Sequence, residues 1–305
     1  MTLRDALSLG RVSNLPTVWA NAITAIVLTT AAPHWWAVLT VIVGLSLYYV
    51  AGMYLNDACD ATIDALERPE RPIPSGRVSR ATVFSMTVLL FVVGSILIIV
   101  PSLLDTDRSS SPVVWSAIEL ITCIVAYNLW HKSNPLSPVI MGLCRVMVYV
   151  TAAFALGGSL ATPLITAAVL VLCYLIGLTY AAKQEHINTV SHQWPLVFLL
   201  LPLIALCLPV MGSQWIPAFQ ITLPTVEHML LAAVWITLVS TVFVACYWIK
   251  RRQPRDIPNA VSVLIAGMCL VDAAVLAASG YAIAAIVATI FFLLTLVFQR
   301  FIAGT

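Results

Sequence analysis

Residues 56–80, NDACDATIDALERPERPIPSGRVSR, concentrate charge in a chain that carries little of it elsewhere. Asn56, Asp60 and Asp64 follow one another at intervals of four residues, and Asp57 stands beside the first. In a helix this spacing places the polar side chains on one stripe. Converging carboxylates repel one another unless a cation lies between them, and Mg²⁺ prefers carboxylate oxygens combined with substrate phosphates and water. The stretch therefore predicts a magnesium site.

A basic, proline-rich segment follows the acidic stripe directly. Arg68, Arg71 and Arg77 stand in RPERPIPSGR, and a planar guanidinium can hold a phosphate through two hydrogen bonds. The prolines stiffen this segment, which suits a ligand that is both metal-bound and anionic. A solvated acidic loop, paired with the following arginines, is the alternative. It explains neither the four-residue spacing nor the concentration of charge beside a membrane.

The rest of the chain is apolar. Of its 305 residues, 61% are hydrophobic and 9% are charged, with a mean hydropathy of +1.00, which excludes an ordinary soluble domain. We expect an all-α, polytopic membrane bundle in which residues 1–305 form one integral-membrane domain, surrounded by lipid and not bound to nucleic acid. Ten stretches have the length that crosses about 30 Å of hydrocarbon: residues 15–32, 36–55, 81–103, 112–130, 138–156, 163–182, 195–211, 226–249, 258–279 and 281–298.

The distribution of basic residues predicts an orientation. If the amino terminus is cytoplasmic and all ten stretches cross, every Lys and Arg except Arg108 and Arg145 lies on the inner face or at its edge. Cytoplasmic segments of membrane proteins carry such an excess of positive charge. We therefore expect the amino terminus and the acidic stretch to face the cytoplasm.

Two further polar clusters follow the fourth and sixth predicted spans and reach the same inner level. The first contains Tyr127 and Lys132, and the second contains Lys183, Glu185 and Asn188. Lys132 can supply a point charge for phosphate, although a lysine at a helix end often only extends to the membrane surface. The second cluster can supply a base or a hydrogen-bond partner for a second substrate.

Several polar residues lie inside the predicted spans. Arg145 stands two turns into the fifth span, where burial of an arginine costs about 2.5 to 3.5 kcal/mol on insertion scales, so we expect it to be functional. Glu119 and Asp272 lie further from the inner face and fit helix pairing or local structure. Asn14 and Asn21, seven residues apart on one helical face, are expected to satisfy neighbouring helices.

The sequence NDACDATID, followed by RPERPIPSGR, resembles the first aspartate-rich motif of the UbiA superfamily of intramembrane prenyltransferases, NDxxDxxxD. The match is complete at Asn56, Asp57, Asp60 and Asp64. NLPTVWAN, YNLWHKSNPL and MGLCR are similar to that family as well, and MGLCR with a glutamate in the second acidic motif resembles the EboC-type subgroup. The resemblance implies a bundle, usually of nine spans, around a lateral cavity open to lipid. We therefore expect nine to ten transmembrane helices.

The resemblance also implies an activity, the Mg²⁺-dependent transfer of a prenyl group from a polyprenyl diphosphate to an unidentified small or lipid acceptor within the membrane. Metal and bases would stabilise the charge on the leaving diphosphate, and an apolar tunnel would shield the carbocation from water. By this resemblance Asn56, Asp60 and Asp64 bind the metal and the diphosphate. The expected catalytic residues are Asp60, Asp64, Lys183 and Glu185, and the expected substrate contacts are Asn56, Arg68, Arg77, Tyr127, Lys132, Arg145, Tyr180 and Asn188.

The second acidic motif departs from the family pattern. The family carries DxxxD after a tyrosine and a basic residue, whereas here Tyr180 and Lys183 match the lead-in and Glu185 is the only carboxylate, with Gln184 and Asn188 at the four-residue spacing. A second Mg²⁺ would have fewer charged ligands. Two alternatives to a prenyltransferase follow: a non-enzymatic transporter or lipid-handling protein, and a hydrolase or cyclase in which water or a proton acceptor replaces the prenyl acceptor.

Overall fold

A computed structural model of the chain describes residues 1–105, 109–132, 134–183, 194–211, 219, 224–302 and 304. All regular structure in these residues is helical, which confirms the predicted all-α class. Short 3₁₀ helices precede the second and eighth α-helices. The α-helices are α1 (Leu3–Leu9), α2 (Leu15–Thr29), α3 (Trp35–Glu67), α4 (Arg80–Leu104), α5 (Ser111–Trp130), α6 (Ser137–Ala155), α7 (Thr162–Lys183), α8 (Leu200–Val210), α9 (Thr225–Arg251), α10 (Asp256–Ala278) and α11 (Ala282–Phe298).

Among the described residues, eight helices are long and apolar enough to cross a membrane, namely α2 to α7, α9 and α10. The seventh and tenth predicted spans correspond to shorter apolar helices, Trp194–Val210 and Ala282–Phe298. The chain is therefore an integral membrane protein by composition and helix length, and the count of nine to ten spans stays a prediction.

Proline marks the start of several membrane helices. Pro16, Pro112 and Pro138 stand in the first turns of α2, α5 and α6. The first turn of a helix has backbone N–H groups without intrahelical partners, so a proline costs little there and its fixed φ angle favours the helical conformation. These helices therefore begin where the sequence predicted a span to begin.

Helix α3 positions the acidic stripe. It contains 33 residues, which corresponds to about 50 Å of helix against about 30 Å of hydrocarbon. Its last three turns, Asn56–Glu67, therefore extend beyond the apolar part of the helix and carry the carboxylates. The predicted span ended at Leu55 because hydropathy falls there, while the helix itself continues to Glu67.

The core of the bundle surrounds α10. Every residue from Ala266 to Ala278 is buried, and α10 packs against α2, α7, α9 and α11. Helix α4 lies on the outside and exposes apolar side chains such as Val88 and Ile96, as expected for a surface in contact with lipid. The bundle thus surrounds its apolar interior with helices whose outer faces suit a membrane.

Candidate functional site

Asn56, Asp57, Asp60 and Asp64 together are called the acidic stripe. The stripe lies where the carboxyl ends of α3 and α5 meet the start of α6, a region that we call the polar end of the bundle. Arg71, in the loop after α3, contacts two of its carboxylates. Its Nη1 atom lies 2.7 Å from Asp64 Oδ2 and 3.5 Å from Asp57 Oδ1. Burial opposes the charge on Arg71, but the carboxylates of Asp57 and Asp64 outweigh it and raise the pKa of the guanidinium. A cation therefore already lies between two buried carboxylates.

Arg11, from the segment between α1 and α2, contacts the same stripe. Its Nη2 atom donates to Asp57 Oδ1 at 3.3 Å and to Asn56 Oδ1 at 3.4 Å. Arg11 adopts a φ angle of 41°, a left-handed conformation that is uncommon for residues other than glycine. Such a conformation persists only where tertiary contacts stabilise it. The hydrogen bonds from Arg11 to the acidic stripe supply such contacts.

Asp60 pairs with the end of α5. Lys132 Nζ lies 3.0 Å from Asp60 Oδ1, and His131 Nε2 lies 3.5 Å from Asp60 Oδ2. The Tyr127 ring stacks on that of His131 at a centroid distance of 5.1 Å. The structure therefore brings Lys132 and Tyr127, predicted from a separate polar cluster, to the acidic stripe.

Asn56 connects the stripe to a cavity. Its Nδ2 atom donates to Asn128 Oδ1 at 3.0 Å, while Asn128 Nδ2 donates to the Ile124 carbonyl at 2.9 Å. Asn128 and Tyr127 also line a cavity between α2, α3, α5 and α6. The walls are mainly apolar and include Leu45, Tyr48, Leu120, Ile124, Met141 and Val148.

Arg145 lies on the wall of this cavity and is 8% exposed. Its guanidinium donates to Asn21 Oδ1 and Thr17 Oγ1, each at 3.1 Å, and lies over the Tyr49 ring at 5.5 Å. Asn21 in turn donates to Asp272 Oδ2 at 2.7 Å. Arg145, Asp272 and Asn21 thus form one network. The sequence had predicted them separately, Arg145 as a functional residue and the other two as helix-pairing residues.

The third predicted cluster lies partly outside the described residues, since Glu185 and Asn188 fall there. Lys183 ends α7, and its Nζ atom donates to Ser137 Oγ at 2.6 Å and to the Asn134 carbonyl at 3.0 Å. Tyr180 lies half-buried in the last turn of α7. Lys183 therefore holds the segment between α5 and α6, the segment whose first residues contact Asp60.

The remaining predicted arginines lie in the loop that follows α3. Arg68 caps that helix and is half-buried, while Arg77 Nε donates to Asp5 Oδ1 at 3.1 Å. The hydroxyl and backbone N–H of Thr2, together with Arg77, hold the pKa of the Asp5 carboxyl below its ordinary value. Arg77 thereby attaches the loop to α1. The phosphate contacts predicted for Arg68 and Arg77 stay predictions.

The donor chemistry at the polar end suits Mg²⁺, which prefers carboxylate and amide oxygens. Asn56, Asp60 and Asp64 offer such oxygens on neighbouring turns of one helix. In the part of the chain that the structure describes, no three His, Cys, Asp or Glu side chains are already gathered into a metal site. The bases Arg71 and Lys132 occupy the carboxylate oxygens instead. The oxygen donors therefore suit Mg²⁺, but the metal can bind them only after Arg71 and Lys132 move away from the carboxylates.

Residues 13–235 match the UbiA prenyltransferase family. The chain belongs to that family. This confirms the resemblance seen in the NDxxDxxxD motif and includes the stripe, the loop and the cavity within the matched residues. The likeness to the EboC-type subgroup stays a prediction.

Two relatives of this UbiA family member are digeranylgeranylglyceryl phosphate synthases. That of Methanobrevibacter smithii is 38% identical over 87 residues, 28% of this chain and 29% of its own. That of Methanothermobacter thermautotrophicus is 49% identical over 47 residues, 15% of this chain and 17% of its own. The matched segments span less than a third of either relative.

Solved structures show the same fold over nearly the whole length. A UbiA homologue from Archaeoglobus fulgidus, bound to GPP and Mg²⁺, has a TM-score of 0.59 at 11% identity and covers 97% of this chain and 99% of its own. An apo UbiA homologue from Aeropyrum pernix K1 has a TM-score of 0.59 at 14% identity, covering 87% and 96%. These likenesses establish the UbiA fold.

Three residues of the site, Arg11, Asn128 and His131, had no role assigned from the sequence, and Arg71 was recognised in the basic segment but not counted among the expected substrate contacts. Arg71 stands seven residues after Asp64 in the same basic loop as Arg68 and Arg77, so only its folded position distinguishes it. His131 stood beside Lys132 in a polar cluster, which was a usable signal. No sequence signal pointed to Arg11, because its partner Asp57 is 46 residues away.

Proposed function

We propose that this UbiA family member is a Mg²⁺-dependent prenyltransferase, which moves a prenyl group from a polyprenyl diphosphate to a small or lipid acceptor within the membrane. One observation carries the proposal: the acidic stripe and its bases adjoin an apolar cavity. Asn56 belongs to the stripe and bonds Asn128, which lines the cavity. A ligand with a charged head and a hydrocarbon tail matches this arrangement.

Relatives agree with the proposal. A UbiA homologue with the same fold holds GPP and Mg²⁺, and relatives in the matched segments are named digeranylgeranylglyceryl phosphate synthases. A prenyl diphosphate donor is therefore the class of substrate that we assign to this chain. The acceptor is left open by these likenesses.

The polar end would bind the diphosphate and stabilise it as it leaves. Asn56, Asp60 and Asp64 would hold Mg²⁺, which supplies positive charge to the leaving diphosphate. Arg71 and Lys132 pair with Asp64 and Asp60 in the structure, and both side chains would turn towards phosphate oxygens when the diphosphate binds. A guanidinium and an ammonium placed before the reaction stabilise the charge that develops as the carbon–oxygen bond breaks.

The cavity would hold the prenyl chain and exclude water. Its walls are mainly apolar, formed by residues such as Leu45, Leu120 and Val148, and would keep water away from an allylic carbocation. The acceptor would attack that carbon and release a proton. Exclusion of water favours transfer to the acceptor over hydrolysis.

The other predicted residues complete the proposal. Arg68, Arg77 and Lys183 would add positive charge near the diphosphate, with Tyr127 and Arg145 on the cavity side. We also propose that residues 1–305 form one domain with the amino terminus and the polar end on the cytoplasmic side, as the basic residues indicate. Roles for Tyr180, Glu185 and Asn188 as substrate or catalytic contacts belong to the same proposal.

The test is thermal unfolding of the purified full chain with geranyl diphosphate, with and without Mg²⁺. At a ligand concentration about a hundredfold above the dissociation constant, binding adds about 2.7 kcal/mol, and we expect the unfolding midpoint to rise by about 5 °C. Asp60→Asn and Asp64→Asn should abolish the rise. Glu119→Gln, a carboxylate on the exposed side of α5, should leave it unchanged.

Absence of any Mg²⁺-dependent stabilisation by isoprenyl diphosphates of ten to forty carbons would refute the proposal. Product analysis without an added acceptor separates the alternatives, since a hydrolase or cyclase releases diphosphate under these conditions. Flux of substrate across liposomes that survives both aspartate substitutions would indicate a transporter.

A further inference from the structure

Arg145 brings a positive charge to the wall of an apolar cavity, and its hydrogen-bond partners are neutral. They are Thr17 and Asn21, each at 3.1 Å, and the ring of Tyr49 covers one face of the guanidinium. Among the described residues that line the cavity, Arg145 carries the only formal charge. A charge in such surroundings is costly unless an opposite charge approaches it.

Asn21 separates Arg145 from the carboxylate of the network. It accepts a hydrogen bond from Arg145 and donates one to Asp272 at 2.7 Å and one to the Tyr149 hydroxyl at 3.0 Å. Tyr149 donates its own hydroxyl proton to Asp272. An arginine that served only to pair helices would be neutralised most simply by direct contact with the aspartate. Here the amide of Asn21 holds the guanidinium at the cavity wall instead.

The guanidinium retains unused hydrogen-bond donors. It carries five N–H groups in a planar fork. Within the described ranges, two of these groups donate hydrogen bonds, one to Asn21 and one to Thr17. A planar fork with free N–H groups matches the oxygens of a phosphate or a carboxylate. The network therefore leaves Arg145 prepared for an oxyanion.

Arg145 is separated along the bundle from the place proposed for the diphosphate. It stands eight residues after Ser137, the first residue of α6, which is about 12 Å along the helix. The acidic stripe lies at the polar end, where α6 begins. An oxyanion bound at Arg145 is therefore a second anion in the same cavity, with apolar wall between the two.

We propose that Arg145 binds an oxyanion of the acceptor, so that the acceptor is an amphiphile with a phosphate or carboxylate group on an apolar body. Asn21 and Asp272 are positioning residues that fix the guanidinium. This inference rests on the proposed function, because it assigns the second substrate of the same cavity. It explains why a buried arginine is linked to an aspartate through an amide.

The experiment measures amphiphile binding to the full chain while the diphosphate site is saturated with Mg²⁺ and geranyl thiolodiphosphate, an unreactive analogue. The probes are dodecyl phosphate, dodecanoate and, as the neutral control, dodecanol. Arg145→Gln should weaken both anions by about tenfold, which corresponds to about 1.4 kcal/mol, and change dodecanol by less than twofold. Arg145→Lys should retain part of the preference, because it keeps the charge without the planar fork.

Asp272→Asn supplies a test with the opposite sign. The carboxamide oxygen can still accept from Asn21, while the negative charge behind Arg145 is removed, so the affinity for both anions should rise by about threefold. A purely structural network predicts instead that every probe binds more weakly in both variants. If Arg145→Gln does not fold, Asp272→Asn still tests whether Arg145 binds the oxyanion.

The outcomes separate this inference from the proposed function. If the wild-type protein does not bind the thiolodiphosphate, the proposed function fails and the inference fails with it. If the analogue binds but Arg145→Gln leaves the ratio of anion to dodecanol affinity unchanged, the inference alone is overturned. Unchanged or weaker anion binding by Asp272→Asn overturns it as well.

Discussion

Arg71→Gln removes the cation that lies between two buried carboxylates. The bond from Arg71 to Asp64 is 2.7 Å long and both side chains are mostly buried. Hydrogen bonds between charged groups contribute about 1.5 to 3 kcal/mol, and breaking a fully buried pair costs about 3 to 5 kcal/mol. Arg11 still pairs with Asp57 and water reaches the polar end, so we expect a loss of about 2 kcal/mol in the free energy of unfolding.

The same substitution should increase the affinity for Mg²⁺ measured without diphosphate. In the wild-type protein the metal must displace Arg71 from Asp64, which costs about 2 kcal/mol, whereas in Arg71→Gln these oxygens are available. The dissociation constant for Mg²⁺ should fall by about 30-fold. The affinity for geranyl diphosphate with Mg²⁺ should fall by about tenfold, because a phosphate ligand is lost.

Isothermal titration calorimetry measures both affinities, and thermal unfolding measures the stability. Arg80→Gln, an exposed base at the start of α4, is the control and should leave both affinities within twofold of wild type. If Arg71→Gln binds Mg²⁺ no more tightly than the wild type, the view that Arg71 competes with the metal is wrong.

Three further predictions concern the cavity, the loop and α1. Leu120→Trp fills the cavity wall and should shorten the longest isoprenyl diphosphate that stabilises the protein in a chain-length series, whereas Trp115→Leu, on the exposed side of the same helix, should not. Arg77→Gln should weaken geranyl diphosphate binding by about threefold or less, because Arg77 already pairs with Asp5; a loss as large as that of Arg71→Gln would contradict this. The pKa of Asp5 is lowered in the folded state, so its contribution to the docking of α1 is complete above the ordinary value of 3.8 and is lost as the pH falls through the lowered pKa. Hydrogen exchange, corrected for its intrinsic rate, should therefore show protection of α1 that persists from pH 7 to about 4 and disappears below it, and Asp5→Asn should lack this dependence.

Most of the bundle could be predicted from sequence because hydrophobic length is a local property. The predicted spans beginning at Pro112 and Pro138 coincide with helices because proline is favoured in a first helical turn. Hydropathy predicted the end of the second span at Leu55 and missed the last turns of α3, since charge ends an apolar stretch without ending a helix. The apolar stretches at 195–211 and 281–298 also show that apolarity alone does not decide whether a helix is long enough to cross.

In the candidate site, too, the local features could be predicted from the sequence and the long-range contacts could not. Helical spacing is local, so the stripe of Asn56, Asp60 and Asp64 was visible in the sequence. Their partners come from distant parts of the chain, since Lys132 follows Asp60 by more than seventy residues and approaches it only because α5 packs against α3. Arg145 was recognisable as functional from its place in a span, but its link to Asp272 through Asn21 required the fold.

The charges at the polar end also explain why metal and diphosphate should bind together. Asp57, Asp60 and Asp64 are balanced by Arg11, Arg71 and Lys132. Mg²⁺ alone adds positive charge to this balanced set, and a diphosphate alone adds several negative charges, whereas the two together nearly cancel. Each should therefore raise the affinity for the other by the same factor, as linkage requires. Titration of either ligand at saturating concentrations of the other measures that factor, and a value of one would show that Arg71 and Lys132 do not move from carboxylate to phosphate when substrate binds.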